Sequence, residues 1–323
     1  MSTTSYFNFL RQQPFYRTWF QWYPGHMRTS VHKMKQIMSR ITIVLEIHDA
    51  RVPLSCRNHS MVNEIVGDKQ HLLILNKAER VSAKDRKKIT DSLKIPNMLF
   101  SQLSGVKQGQ RSSSLKLEDN VGLHDANRIL SILQECSQSK YDNNTILVIG
   151  VPNVGKSTLI NQLRSAALGL KRAVPIGSEP GVTRSLMTPV KICALPPIYV
   201  IDSPGVLEPH LTDIGVACKL TLVECMRTQQ IVNTRTTIGQ FLKLYMDEYN
   251  YNGLYRNLYD IKEKENSFIE LLVKIAKKHS LVTRSGRKEF NYNLENACDK
   301  FIADFKSGKL GQIYLDNDVA VAV

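Results

Sequence analysis

The sequence predicts an α/β fold, in which a mostly parallel sheet carries helices on both faces, followed by a separate all-helical domain. In the first part of the chain, apolar runs alternate with amphipathic stretches, which is the pattern of buried parallel strands joined by helices. From about residue 209 onward, helical periodicity replaces the strand pattern. With 323 residues, 42% hydrophobic and 22% charged, the chain is long enough for two hydrophobic cores.

The elements of the first domain follow from these runs. Strands are predicted at residues 41–50, 71–78, 97–105 and 144–150, with one or two more within 191–202. Helices are predicted at residues 58–67, 123–138 and 157–167. Residues 105–122 are polar and rich in glycine and serine, so we expect them to form a linker.

The predicted domain boundaries follow changes in composition. Residues 1–25 form a basic and aromatic segment, residues 26–208 the sheet domain and residues 209–323 the helical domain. The first segment contains Arg11 and Arg17, and no acidic residue precedes Glu46, a composition typical of a mitochondrial targeting segment. An RNA-facing arm or the start of the mature fold is the alternative for this segment.

Net charge and cysteine content restrict the partners and the compartment. The net charge of +14 predicts a polyanionic partner, either nucleic acid or an anionic membrane surface, with a merely soluble basic protein as the alternative. The six cysteines contain no C-x-x-C pair, which is typical of reduced thiols in an intracellular compartment. No apolar stretch approaches the roughly 20 residues that span a bilayer, so any membrane contact is expected to be peripheral.

The strongest chemical signal is GVPNVGKST at residues 150–158. It fits the G-x-x-x-x-G-K-[ST] pattern of a phosphate-binding loop between a predicted strand and a predicted helix. The glycines let main-chain N–H groups turn toward phosphates, and the helix N-terminus adds partial positive charge. We expect Lys156 to neutralise the terminal phosphates and Ser157 to bind Mg²⁺.

Two further segments follow in the order that such a site requires. In YVIDSPG, Asp202 ends a predicted strand where it can bind the metal through water, and the N–H of Gly205 is expected to reach the terminal phosphate. Between them, EPGVTRS contains Thr183, which is expected to complete the metal shell when a γ-phosphate is present. Together these segments predict a site for a nucleoside triphosphate with Mg²⁺.

The tetrapeptide NKAE, residues 76–79, follows a predicted buried strand as a guanine-recognition N-K-x-D loop does, but it precedes the phosphate-binding loop. In a parallel sheet the active loops emerge from the carboxyl edge, so the site depends on the spatial order of the strands and not on chain order. Ser101, in FSQLSG, then takes the place of the loop that supports the guanine. This order is a circular permutation of the common GTPase order, and it predicts binding of GTP and GDP.

Seven motifs together resemble the YlqF/RbgA family of circularly permuted GTPases. They are WYPGHM (22–27), DARVP (49–53), NKAE, GVPNVGKST, PGVTR, DSPG and FKSGKLG (305–311). The resemblance implies GTP hydrolysis coupled to late assembly of the large ribosomal subunit, with the helical domain contacting RNA. Given the N-terminal segment, it points to the mitochondrial members, which act in the matrix, often as peripheral proteins of the inner membrane.

The resemblance also implies a set of site residues. Nucleotide binding is assigned to Asn76, Lys77, Ala78, Glu79, Ser101, Gly150, Asn153, Val154, Gly155, Lys156, Ser157, Thr158 and Gly205. Mg²⁺ is assigned to Ser157, Thr183 and Asp202, and a K⁺ ion near the phosphates to Asn153. Catalysis is assigned to Lys156, Thr183 and His26, although His26 has packing in an aromatic segment as an equal alternative.

Two positions depart from the common GTPase pattern. Glu79 replaces an aspartate that accepts two hydrogen bonds from guanine, and its extra methylene is expected to weaken the guanine preference without removing it. A chance match of the motif, or relaxed base selectivity, is the alternative. Val206 stands where many GTPases carry a water-orienting glutamine, so we expect slow turnover without a partner.

A basic segment in the helical domain is the last candidate site. Residues 274–290 contain Lys274, Lys277, Lys278, Arg284, Arg287 and Lys288. Phe290 and Tyr292 lie beside them, which favours phosphate contacts and base stacking on RNA over a merely solvated face, and Lys306 and Lys309 extend this surface. Together with the resemblance, these features favour a GTPase that acts as an assembly factor for the mitochondrial large ribosomal subunit. Its rivals are an RNA-binding or membrane-tethering protein without useful turnover, and an ATP-using P-loop enzyme.

Overall fold

The computed structural model describes residues 32–103, 115–137, 144–170, 189–205, 213–226, 234–262, 265, 267–285 and 289–319. These residues fall into two compact units, one over 32–205 and one over 213–318. Each unit is described by itself below.

The first unit is built on a six-stranded sheet with the spatial order β3-β2-β1-β4-β6-β5. Its strands are β1 (Ile43–Asp49), β2 (Gln70–Asn76), β3 (Met98–Phe100), β4 (Asn144–Ile149), β5 (Val190–Cys193) and β6 (Ile198–Asp202). Every neighbouring pair of strands is parallel except β5 and β6, which are antiparallel at one edge of the sheet. The predicted fold class, a mostly parallel α/β sheet, is therefore confirmed.

The apolar runs form strands because both faces of this sheet are covered. All seven residues of β1 are buried, and so are five of the six residues of β4. Strands buried on both faces favour continuous runs of branched aliphatic residues over an alternating pattern. On one face Met34, Val62 and Ile65 pack with Leu147 and Ile149 in a single cluster.

The helices of the first unit are α1 (His59–Val66), α2 (Ala83–Leu93), α3 (Leu115–Ser137) and α4 (Lys156–Leu168). Side chains cap the first two: Asn58 accepts from the N–H of Met61, and Ser82 accepts from the N–H of Asp85. The predicted linker at 105–122 overlaps α3, since that helix already begins at Leu115. Leucine, lysine and glutamate at residues 115–118 favour a helix, and this preference outweighs the serines before them and the glycine at 122.

The second unit is mainly helical, as predicted. Its helices are α5 (Ile214–Leu222), α6 (Thr234–Glu248), α7 (Asn252–Tyr259), α8 (Phe268–Lys278) and α9 (Leu294–Ser307). Large aromatic side chains fill its core, including Phe241, Tyr245, Tyr255 and Phe301. The last described segment is tied to α5, because the buried ammonium of Lys219 is paired with Asp316 and Asp318.

This unit also contains a two-stranded hairpin that the sequence pattern did not predict. Strand β7 (Val282–Ser285) pairs antiparallel with β8 (Glu289–Tyr292), so the unit is not helical throughout. The β-branched and aromatic residues Val282, Thr283, Phe290 and Tyr292 favour this hairpin, although charged residues interrupt their pattern. None of the helices within the described ranges is long and apolar enough to cross a membrane.

Candidate nucleotide-binding site

The phosphate-binding loop, which joins β4 to α4, contains two glycines that no other residue can replace without strain. Gly150 has a φ of +148°, and a Cβ there would lie 2.1 Å from the carbonyl oxygen of Ile47. Gly155 has a φ of +107°, and a Cβ there would lie 2.5 Å from Nδ2 of Asn76. The loop therefore passes close to both β1 and β2, and its main chain curls at the N-terminus of α4.

Lys156, the first residue of α4, is held inside this loop. Its Nζ donates hydrogen bonds to the carbonyl oxygens of Gly150, at 3.1 Å, and Val151, at 2.9 Å. The side chain is buried, so its charge is directed at the interior of the loop. Asn153 has a φ of +59°, a left-handed conformation that turns successive N–H groups to one side. This arrangement is suited to an anion with several oxygens.

Ser157 and Asp202 come together at the carboxyl edge of the sheet. Asp202 ends β6 opposite Val148 of β4, and the Ser157 hydroxyl donates to its Oδ2 at 2.8 Å. The other carboxylate oxygen of Asp202, Oδ1, is buried and accepts no hydrogen bond within the described ranges. Burial raises the pKa of Asp202, and the nearby Lys156 charge and the Ser157 hydrogen bond act against that rise.

These oxygens fit a hard divalent cation. A carboxylate oxygen that is buried without a donor is costly, and a water molecule bound to Mg²⁺ would satisfy it by donating a hydrogen bond. Ser157 would supply a protein oxygen to the metal once its proton no longer points at Asp202. Gly205 lies against the phosphate-binding loop, since a Cβ there would come within 2.6 Å of the main-chain nitrogen of Pro152.

Asn76 joins the NKAE loop to the phosphate-binding loop. It ends β2, and its Nδ2 donates to the carbonyl oxygen of Val154 at 2.8 Å. Its Oδ1 accepts from the N–H of Leu103 at 2.8 Å and from the hydroxyl of Ser101 at 3.4 Å. The N–H of Ala78 donates to the carbonyl oxygen of Ser101 at 3.0 Å. One buried amide thus connects the predicted base-recognition, base-support and phosphate-binding loops.

Glu79 lies on the rim of this site. It sits in a 3₁₀ turn over Ala78–Arg80, with its side chain 45% exposed and Oε1 at 3.5 Å from Nε of Arg80. The carboxylate is therefore accessible to an incoming base. Thr158, the third residue of α4, is buried.

Two acidic residues that the sequence reasoning did not assign also support these loops. Asp125 on α3 accepts from the N–H of Gln102 at 2.7 Å, beside Ser101. Asp49 at the end of β1 forms an ion pair with Lys77, at 3.0 Å. The motif DARVP singles out Asp49 in the sequence, whereas no local pattern distinguishes Asp125. Thr183, His26 and Val206 lie outside the described residues.

Comparisons with known proteins agree with this geometry. Residues 145–278 match the family model described as 50S ribosome-binding GTPase. The chain is 31% identical over 306 residues to Mitochondrial GTPase 1 of Aedes aegypti, covering 92% of this chain and 93% of that protein. It is 31% identical over 313 residues to Mitochondrial ribosome-associated GTPase 1 of Bos taurus, covering 93% of this chain and 89% of that protein.

A bacterial relative and a solved structure extend the comparison. Ribosome biogenesis GTPase A of Bacillus pumilus is 29% identical over 303 residues, covering 91% of this chain and 96% of that protein. The crystal structure of GNP-bound YlqF from T. maritima covers 88% of this chain and 96% of that chain, with a TM-score of 0.56 and 20% identity. That structural likeness shows the fold, and the sequence identity shows the relationship. The chain belongs to the family of the mitochondrial ribosome-associated GTPases and is a circularly permuted P-loop GTPase.

Proposed function

We propose that this protein hydrolyses GTP as a nucleotide-gated assembly factor for the mitochondrial large ribosomal subunit. We further propose that it is slow alone and that the ribosome stimulates it. The observation that carries the nucleotide assignment is the Asn76–Val154 hydrogen bond of 2.8 Å, because it places the base-recognition loop against the phosphate-binding loop. The names of the relatives, which include mitochondrial ribosome-associated and ribosome biogenesis GTPases, support the ribosome as the partner.

The side chains of the site support binding more directly than rapid turnover. Lys156 and the N-terminus of α4 bind the phosphates, and Ser157 and Asp202 hold Mg²⁺, with Thr183 completing the shell. Mg²⁺ supplies charge neutralisation on the phosphates when it is bound. Val206 has no polar group with which to orient water, so we assign that task to His26 or to groups brought by the partner. K⁺ held near Asn153 would stabilise the charge of the transition state.

The second unit is proposed to bind ribosomal RNA. The net charge of +14 favours contact with phosphates. At the end of α8, Lys277 is exposed, and the following hairpin leaves Val282 and Tyr292 exposed at 48% and 44%. A cation beside exposed apolar and aromatic groups is suited to phosphate contact and base stacking. We therefore propose residues 209–323 as the RNA-binding domain and residues 26–208 as the GTPase domain.

The proposed location is the mitochondrial matrix, at the inner face of the inner membrane, as a peripheral protein. The mitochondrial names of the relatives and the basic, acid-free composition of residues 1–25 support this placement. Fractionation of mitochondria, followed by extraction at high salt or alkaline pH, tests the peripheral association.

The test of the function is steady-state hydrolysis of GTP and of ATP in K⁺ buffer and in Na⁺ buffer, with and without mitochondrial large ribosomal subunits. The expected result is slow GTP turnover that rises when subunits are added and disappears in Lys156→Met. Hydrolysis of ATP at the same rate as GTP would contradict the proposed guanine selectivity. Turnover unaffected by subunits would contradict the proposed role at the ribosome. A protein that binds GTP and subunits tightly without hydrolysis would instead be an RNA-binding or tethering protein.

A further inference from the structure

Asp49 is a buried carboxylate shared by two cations at the end of β1. Its side chain is fully buried and accepts three hydrogen bonds from Arg51: from the main-chain N–H at 3.0 Å, from Nε at 2.9 Å and from Nη2 at 2.8 Å. Its Oδ2 also lies 3.0 Å from Nζ of Lys77. Arg51 thus fixes the carboxylate, and the carboxylate in turn holds Lys77.

The main chain of the same segment holds the same loop. The register of β1 and β2 ends with Asp49 opposite Asn76, and the N–H of Ala50 donates to the carbonyl oxygen of Asn76 at 2.8 Å. The first two residues of DARVP therefore contact the first two residues of NKAE through both main chain and side chain. None of these contacts involves a residue of the phosphate-binding loop.

Lys77 needs such support because of its own backbone. Its φ of +58° lies in the left-handed region, which a residue with a Cβ adopts only at a cost. This conformation turns the chain so that Ala78 meets Ser101 and the 3₁₀ turn carrying Glu79 begins. The Lys77 side chain is 25% exposed, so it extends from buried Asp49 to the surface of the site. Without the Asp49 charge, Lys77 would lose the ion pair that it forms within the described residues, and Arg51 would lose the same partner.

We propose that Asp49 is a positioning residue for guanine selectivity, which acts through Lys77 to keep the base-recognition turn in its binding conformation. This inference rests on the guanine-nucleotide site proposed above. It gives the DARVP segment a role in base selection that is distinct from general stabilisation of the fold. An ion pair that only stabilised the fold would change the affinity for every nucleotide alike, whereas a positioning residue changes the preference for one base over another.

The experiment compares Asp49→Asn, Lys77→Met and the double variant with the wild type. The dissociation constants of GDP and of ADP are measured by calorimetry, and their ratio is the readout. Asp49→Asn keeps the volume and removes the charge. We expect it to lower the GDP-over-ADP preference about tenfold, as the loss of a charged hydrogen bond would. Because both residues act in one chain of contacts, the double variant should lose no more preference than the more severe single variant.

The matched control is Glu46→Gln, which alters another buried carboxylate on the same strand. Glu46 is paired with Arg57, at 2.7 Å, and with His71, at 2.9 Å, and neither of these partners belongs to the NKAE loop. We expect it to lower Tm and to leave the GDP-over-ADP ratio at the wild-type value. If Asp49→Asn does not fold, Arg51→Lys replaces it, since lysine keeps the charge but loses the paired hydrogen bonds that orient the carboxylate. The expected change is then smaller and in the same direction.

Three outcomes would overturn the inference. If Asp49→Asn lowers Tm but keeps the GDP preference, its role is structural. If the effects of Asp49→Asn and Lys77→Met add in the double variant, Asp49 does not act through Lys77. A wild-type protein that binds ADP as tightly as GDP would overturn the guanine site itself and this inference with it. A preference retained only in the wild type and in Glu46→Gln is the result that supports the inference.

Discussion

The side-chain amide of Asn76 donates a hydrogen bond of 2.8 Å to the carbonyl oxygen of Val154, which lies 78 positions later in the chain. Asn76→Asp removes this donor and places a carboxylate oxygen against the carbonyl, but keeps an acceptor for the N–H of Leu103. We expect weaker binding of GDP by about tenfold or more, because the two loops would separate. Titration with a fluorescent GDP analogue checks this. An unchanged affinity would show that the loops are held together by other contacts.

The two glycines that flank α4 provide a matched pair. Gly155→Ala places a Cβ 2.5 Å from Nδ2 of Asn76 at a φ of +107°, whereas Gly169→Ala, at a φ of +63°, meets open space. We expect Gly155→Ala to abolish measurable GDP binding. Gly169→Ala should cost only about 1 kcal/mol of stability, with unchanged affinity. Urea unfolding and nucleotide titration of both variants test this, and equal loss of binding in the two would contradict it.

Glu79→Asp should strengthen the selection of guanine over adenine. The glutamate lies on a turn that is partly exposed, and shortening it by one methylene restores the side-chain length found in the common N-K-x-D loop. We expect the ratio of GTP to ATP affinity to rise by about tenfold. Competition binding gives the ratio. A fall in the ratio would indicate that the loop of this protein is shaped for the longer side chain.

Removing the charge of Glu46 should change the pH dependence of stability. Burial acts to raise the pKa of Glu46, but hydrogen bonds from His48, His71 and Arg57 outweigh it and hold the pKa well below its ordinary value. A lowered pKa means that the stabilisation is complete above the unfolded-state pKa of about 4.3 and is lost as the pH falls below it. We expect Glu46→Gln to be less stable by about 3 kcal/mol at pH 7. The difference from wild type should narrow between about pH 5 and pH 3.

Denaturant unfolding of both proteins across that pH range is the measurement. A difference that stays constant on acidification would show that the ionised carboxylate is not the source of the stability.

Lys277 and Lys278 should differ in their contribution to RNA binding. The ammonium of Lys277 forms no ion pair within the described ranges, whereas that of Lys278 is paired with Asp260 and donates to the carbonyl oxygen of Leu258. We expect Lys277→Ala to weaken binding of ribosomal RNA about threefold and to lower the slope of log affinity against log salt by about one. Lys278→Ala should change the slope less. Filter binding at several salt concentrations decides, and equal slopes in the two variants would contradict the prediction.

The sheet could be predicted because each strand carries its own apolar run and because the phosphate-binding pattern requires a strand before it and a helix after it. Contacts across the chain could not be predicted in this way. Nothing near Asp125 indicates that it accepts from the N–H of Gln102, since the two meet only after α3 has packed. The DARVP motif marks Asp49, but its ion pair with Lys77 joins the ends of two strands and no local pattern shows it. The hairpin over β7 and β8 was missed because charged residues interrupt its short apolar pattern, and pairing rather than burial defines it.

The strand order also has a consequence for synthesis of the chain. β1, buried along its whole length, lies between β2 and β4, but β4 begins about a hundred residues after β1 has emerged from the ribosome. At roughly 5–20 residues per second, one side of β1 remains an unpaired apolar edge for about 5–20 seconds. Such an edge pairs readily with other chains. The permuted gene order therefore leaves this strand open to intermolecular pairing until the phosphate-binding half has been translated.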